Sequence, residues 1–314
     1  MILSSHLHYL LGLTGYPLGH SLSPGLHAAA LQASGLQGEY RLFPIPPLPD
    51  GLEALERLIV FMRTGDLDGL NVTIPHKQNV IPFLDELTPL AQKIGAVNTV
   101  FRRDGRLVGD NTDAPGFIKD LSRHFTEFHT PLTAVVLGAG GSARTVVHTL
   151  IGAGWHVIIA ARRAEKGREI ITSSDFNDEH CEAIGLRSLP EFIRNFEKFK
   201  FTVGRKRSQP MHPTLKLIVN ATPVGMLPNI EASPWPEALP FPPGAFVYDL
   251  VYNPMVTVLV RSARTAGLEA AGGLGMLIEQ AALSFERWTG INPSPDVMRL
   301  GVLTAARVFS KQEL

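Results

Sequence analysis

The short run Thr133–Leu137 is followed at once by Gly138-Ala139-Gly140-Gly141-Ser142-Ala143, and then by a helical pattern that ends near Ala153. No other stretch constrains the fold so tightly. Gly138-x-Gly140-x-x-Ala143 is a dinucleotide fingerprint with Ala at its third position. Gly138 permits a tight turn, Gly140 lets the backbone approach a pyrophosphate, and Ala143 keeps helix and strand close. Gly141 and Ser142 open the helix, whose N-terminal amides suit the phosphates. Such a turn alone also occurs as a plain flexible loop; the strand before it and the helix after it favour binding. Gly154 stops the helix and Trp155–Ala160 reads as the next strand, which completes a βαβ unit.

The end of that next strand bears on the cofactor. NAD enzymes place Asp or Glu there for the ribose 2′-hydroxyl. This chain has Ala161-Arg162-Arg163 and then Lys166. Guanidinium forks suit a 2′-phosphate, so NADP(H) is expected rather than NAD; solvated strand-end charges are the alternative.

Apolar runs alternate with helical patterns throughout, which predicts α/β layering. Strands are expected at Tyr9–Thr14, Gly69–Thr73, Val97–Phe101, Arg106–Val108, Leu215–Asn220, Phe246–Leu250 and near Leu268. Helices are expected at Ser23–Ser34 with Ser23 as N-cap, and at Leu52–Met62, Gly116–Phe125, Thr257–Thr265, Met276–Thr289 and Pro295–Ser310. Asp104-Gly105 is a hairpin turn signal. Glu165–Pro213 reads poorly; its Lys198, Lys200, Arg205, Lys206 and Arg207 suit a solvated basic loop or a phosphate contact.

With 29 basic and 29 acidic residues the chain gives no electrostatic reason to expect nucleic acid or an anionic membrane as partner. The N-terminus lacks a basic start, and no run of apolar residues is long enough to span a bilayer, so a cytoplasmic enzyme is expected. The one cysteine, Cys181, reads as an incidental thiol in a polar stretch, with catalysis as the alternative, and no Cys/His cluster has metal spacing.

The first third carries polar groups in apolar surroundings. His20-Ser21-Leu22-Ser23-Pro24 sets two hydroxyls at a loop-to-helix junction, where Ser23 suits either an N-cap or a small carboxylate. Asn71-Val72-Thr73-Ile74-Pro75-His76-Lys77 ends a buried strand and delivers a Lys, which alone reads as surface or as catalytic. Asn98 and Asp113 follow in Gly95–Val100 and Gly109–Asp113; Asp113 suits a helix N-cap as well as a catalytic carboxylate.

Together with Asn220–Met226, Tyr248–Pro254 and Gly273–Trp288, these segments resemble the shikimate dehydrogenase family in order and over nearly the whole chain. The resemblance implies an N-terminal α/β substrate domain, residues 1–113 completed by 276–314, and a Rossmann NADP-binding domain, residues 114–275, with the active site in the cleft between them. C-terminal helices would return to the substrate domain. It implies NADPH-dependent reduction of 3-dehydroshikimate to shikimate by a monomer or homodimer acting on a small molecule. Lys77 and Asp113 look like the catalytic pair. Ser21 and Ser23, helped by Tyr252, would hold the substrate carboxylate. Asn71, Thr73, Asn98, Asp113 and Gln280 would hold its ring oxygens. Asn220, Thr222 and Gly273 would line the cofactor, with the nicotinamide against Met276.

Three features depart from the family: Ala161-Arg162-Arg163 stands for Asn-Arg-Thr, Ala28 for the Asn after the helix histidine His27, and Glu165–Pro213 is longer. Rival readings are a quinate/shikimate dehydrogenase using NAD or NADP, and a catalytically inactive relative that senses metabolites. Methylenetetrahydrofolate dehydrogenases have a similar fold, but the Ser-x-Ser and Asn71–Lys77 segments fit the shikimate family better.

Overall fold

The computed structural model describes residues 8–125, 132–173, 180–196 and 214–312. The basic run Lys198–Arg207 and the lead-in Met1–Leu7 lie outside them. The chain divides into two compact units, Met1–Gly116 with Ile278–Leu314, and Phe117–Leu277; both division points fall inside helices.

The first unit begins β1 (Tyr9–Gly15), α1 (Ser23–Ala33), β2 (Gly38–Pro44), α2 (Leu52–Thr64) and β3 (Gly69–Val72). It continues β4 (Glu86–Leu87), α3 (Pro89–Ile94), β5 (Thr99–Arg103) and β6 (Arg106–Asp110). The sheet order is β2-β1-β3-β5-β6-β4. β1 runs parallel to β2 and β3, whereas β5 is antiparallel to β3 and to β6. This mixed pairing puts the C-terminal ends of β1, β3 and β6 and the N-terminal end of β5 on one sheet edge. Leu55, Leu58, Ile59 and Met62 recur at helical spacing on α2 and pack on Leu70, Val72, Val100 and Leu107. Asp104 and Gly105 both take positive φ in the expected hairpin turn.

α4 (Asp113–Leu121) leads to the second unit: β7 (Leu132–Leu137), α5 (Gly141–Gly152), β8 (His156–Ala161), α6 (Ala164–Thr172), β9 (Cys181–Gly185) and α7 (Leu189–Asn195). Then come β10 (Thr214–Asn220), β11 (Phe246–Asp249), α8 (Val258–Thr265) and β12 (Ala270–Gly272). Helices α9 (Leu274–Thr289) and α10 (Pro295–Gln312) close the chain, and α10 packs on α1. Every strand pair is parallel, in the order β12-β11-β10-β7-β8-β9. Counted from β7 this is the doubly wound order, whose direction reverses between β7 and β10, where such sheets bind ligands. Both faces are covered. Ala134 and Val136 enter one core, and Val135 and Leu137 the other, which is why β7 reads as a continuous apolar run.

Two expectations need correction. Ser23 is not the N-cap of α1: Leu22 holds that position, and Ser23 is the first helical residue. The Ser21 hydroxyl accepts the Ser23 amide at 3.3 Å, so the turn starts one residue earlier. The strand expected near Leu268 is β12, at Ala270–Gly272. Cys181 is buried on β9. Among the described residues no helix is long and apolar enough to cross a membrane, and no group of ligating side chains could hold a metal.

Candidate active site

Three chain segments at the shared edge of the first sheet converge on one polar cluster. Lys77 follows β3, Asn98 immediately precedes β5, and Asp113 follows β6. Local bonds fix each approach. His76 holds the Ile45 carbonyl at 2.8 Å, and the Lys77 carbonyl accepts from the Val97 amide at 2.8 Å. Asn111 takes the Ala114 amide through Oδ1 at 3.1 Å, so the turn into α4 is held without the Asp113 carboxylate.

That carboxylate instead meets Lys77: Nζ lies 2.5 Å from Asp113 Oδ2, with side chains 12% and 8% exposed. Asp113 Oδ1 accepts from Asn98 Nδ2 at 3.0 Å. The same Asn98 amide donates to Thr112 Oγ1 at 2.9 Å and to Gln280 Oε1 at 3.1 Å, so a residue of α9 joins the cluster. Gln280 is therefore buried within the first unit rather than on its surface.

Asn71 supports this group from behind. Its Nδ2 donates to the Asn98 carbonyl at 3.1 Å and to Ser284 Oγ at 2.9 Å, and its Oδ1 accepts from the Tyr40 hydroxyl at 2.8 Å. Ser284, Thr99 and Thr112 form a buried triangle of hydroxyls, with separations of 2.7, 3.1 and 3.1 Å. Sequence reading missed Tyr40, Thr99, Thr112 and Ser284. Only Ser284 left a local signal, one helical turn beyond Gln280. His27 is fully buried and stacks on Tyr40 with centroids 4.4 Å apart. Burial pushes its pKa down to about 3, with a smaller opposing effect from Asn71 beside it, so the ring is neutral near neutral pH. Neither ring nitrogen meets a partner within hydrogen-bonding geometry among the described residues.

Ser21 and Ser23 adjoin each other at the start of α1, with no side-chain bond to the Lys77 cluster among the described residues. Thr73 packs its methyl group toward Gly15. Tyr252 and Met276 belong to the second unit.

In the second unit the fingerprint residues follow β7. Gly138 has φ +112°, and a Cβ there would meet Thr222 Cγ2 at 2.9 Å and the Ala221 carbonyl oxygen at 3.1 Å. Around Gly140, by contrast, a Cβ would meet nothing within 4 Å, so the outer side of the turn is open for a close ligand. Gly140 is the N-cap of α5 and no side chain caps it, while Ala143 is fully buried. Asn220 Oδ1 accepts from the Thr222 amide at 2.9 Å and its hydroxyl at 2.7 Å. Gly273 donates its amide to the Val251 carbonyl at 3.1 Å. Arg162 and Arg163 are exposed just beyond β8 and pair with no carboxylate among the described residues; Lys166 is bound to Glu169. An open turn, an uncapped helix start and two available guanidinium groups fit a dinucleotide bearing a 2′-phosphate.

Residues 13–100 match the model of the shikimate dehydrogenase substrate binding domain, and residues 273–299 that of the shikimate 5'-dehydrogenase C-terminal domain. The shikimate dehydrogenase (NADP(+)) of Symbiobacterium thermophilum is 37% identical over 299 residues, 94% of this chain and 94% of that one. That of Carboxydothermus hydrogenoformans is 36% identical over 293 residues, covering 93% of this chain and 96% of its own. The crystal structure of shikimate 5-dehydrogenase from Thermus thermophilus in complex with NADP(H) and shikimate superimposes with a TM-score of 0.76 at 36% identity, covering 95% of this chain and 99% of that one.

Proposed function

This chain belongs to the shikimate dehydrogenase family, and from that premise we propose how its own residues perform the NADP-dependent interconversion of 3-dehydroshikimate and shikimate. The observation that carries the reading is the buried Lys77–Asp113 pair, held by Asn98 in contact with Gln280. When bound, NADPH supplies a hydride to the ketone carbon and NADP+ accepts it in reverse. The second requirement is a proton on the ketone oxygen. Lys77, as an ammonium, donates it from Nζ and becomes the neutral amine; in the oxidation the amine takes the proton back. Asp113 holds Nζ in place and accepts from the adjacent ring hydroxyl. Asn98 and Gln280 orient the ring oxygens, backed by Asn71, with Thr73 at the margin. Ser21 and Ser23, at a helix start, suit the carboxylate, with Tyr252 as its further contact.

For the cofactor, the turn Gly138, Gly140, Gly141, Ser142 and Ala143 would hold the pyrophosphate. Arg162 and Arg163, with Lys166 beside them, would hold the 2′-phosphate. Asn220, Thr222 and Gly273 would line the cofactor, with its nicotinamide against Met276.

Lys77→Ala tests the assignment. General acid/base help acts in the transition state, so kcat should fall by about 10²–10⁴-fold with a smaller change in KM for shikimate. A large rise in KM with kcat intact would make Lys77 a binding residue instead.

A further inference from the structure

Asp249, the last residue of β11, is fully buried. A carboxylate so placed is expected to be paired with a cation, yet among the described residues it makes no ion pair. Three uncharged donors satisfy it instead. Asn220 Nδ2 at 2.8 Å and the Val251 amide at 3.0 Å donate to Oδ1, and the Thr257 hydroxyl donates to Oδ2 at 2.6 Å.

Each donor opens a separate path. Asn220 passes the constraint through its Oδ1 to Thr222, whose methyl abuts the Gly138 turn. Asn220 Nδ2 also holds the Val224 carbonyl at 3.1 Å. Val251 holds the Gly273 amide through its carbonyl at 3.1 Å. Thr257 caps α8 by accepting the Val260 amide at 3.2 Å. One carboxylate thus joins the segments that follow β10, β11 and β12, all at the ligand-binding edge of a doubly wound sheet.

We propose that Asp249 is a positioning residue for the cofactor, its buried carboxylate locking the loop that begins at Asn220 to the loop Leu250–Thr257 and to the start of α9. The inference rests on the reading that these loops line NADP(H). Burial pushes the Asp249 carboxyl up to about 6, and the hydrogen bonds from Thr257, Val251 and Asn220 oppose that rise by favouring the carboxylate.

The test is calorimetric titration of NADP+ into folded wild-type, Asp249→Ala and Asp249→Asn protein, well below their melting temperatures. Asn keeps an acceptor for Asn220 and Val251 but turns a donor toward Thr257. The expected order of Kd is wild type, then Asp249→Asn, then Asp249→Ala, the last about tenfold or more weaker than wild type. KM for NADP+ should rise with it, while KM for shikimate at saturating NADP+ stays put. A merely structural role would lower the melting temperature and leave the Kd of the folded protein unchanged, and that result would overturn the proposal. Should Asp249→Ala not fold, the Kd of Asp249→Asn decides. Wild-type protein that fails to bind NADP+ would overturn the cofactor reading beneath the inference.

Discussion

Lys166 is tied to Glu169 by contacts of 2.8 and 2.7 Å, whereas Arg162 and Arg163 pair with no carboxylate among the described residues. Three cations close in sequence therefore differ in what they can offer a phosphate. A charge-assisted bond from Arg162 to a 2′-phosphate predicts that Arg162→Ala weakens NADPH by about ten- to a hundredfold and leaves NADH nearly unchanged. Binding titrations with both cofactors check this, and equal losses would remove Arg162 from the phosphate clamp. The cations were legible in the sequence because they follow a recognisable strand. What Lys166 does with its charge was not, because the rotamer that reaches Glu169 leaves no mark on composition.

At the scale of elements, α9 brings residues far along the chain to the Lys77 cluster. Of the apolar positions at helical spacing, Met276, Leu277, Ala281 and Phe285 are buried, whereas Trp288 is only half-buried. Gln280 and Ser284, one turn apart, carry its polar contacts to Asn98, Asn71 and the hydroxyl triangle. Gln280→Ala should leave a ring hydroxyl unpaired, a cost of about 1–3 kcal/mol, while the two Asn98 amide hydrogens keep Asp113 and Thr112 as acceptors. KM for shikimate is therefore expected to rise about tenfold, with NADP+ affinity and folding intact. Steady-state kinetics and a direct NADP+ titration decide it; unchanged shikimate kinetics would remove Gln280 from the pocket. The helix itself could be read from periodicity, but Ser284 could not be linked to Asn71, because a contact across 213 positions has no local signature. For a related reason β2 and β9 escaped the sequence reading. Both are edge strands, β2 has no fully buried residue, and β9 follows the polar Asp178–His180 stretch.

Over the whole molecule, acid should act through buried groups of opposite sign. His27 in the first unit is lowered from 6.5 to about 3 by burial. In the second unit His156 is lowered to about 4 by burial and then by the charge of His180. Each takes up a proton more readily when unfolded, so each costs stability as pH falls below 6.5. Asp249, raised from 3.8 to about 6, holds its proton more tightly when folded, so it adds stability as pH falls through that window and partly offsets His156. His27→Phe keeps a ring against Tyr40 and removes the titration. Its denaturant midpoint should depend less on pH below 6.5 than that of the wild type; equal slopes would contradict the buried neutral state of His27.

The two-unit α/β plan was legible because each unit carries its own ordered motifs: the Gly138–Ala143 turn with its flanking strand and helix in one, and the Asn71–Lys77 and Asn111–Asp113 segments in the other. The central claim is that these motifs make an NADP-dependent shikimate oxidoreductase. Initial rates with shikimate and quinate, each against NADP+ and NAD+, test it most directly. The highest kcat/KM is expected for shikimate with NADP+. Oxidation of quinate, or use of NAD+, at equal or greater efficiency would contradict it, as would an inactive protein.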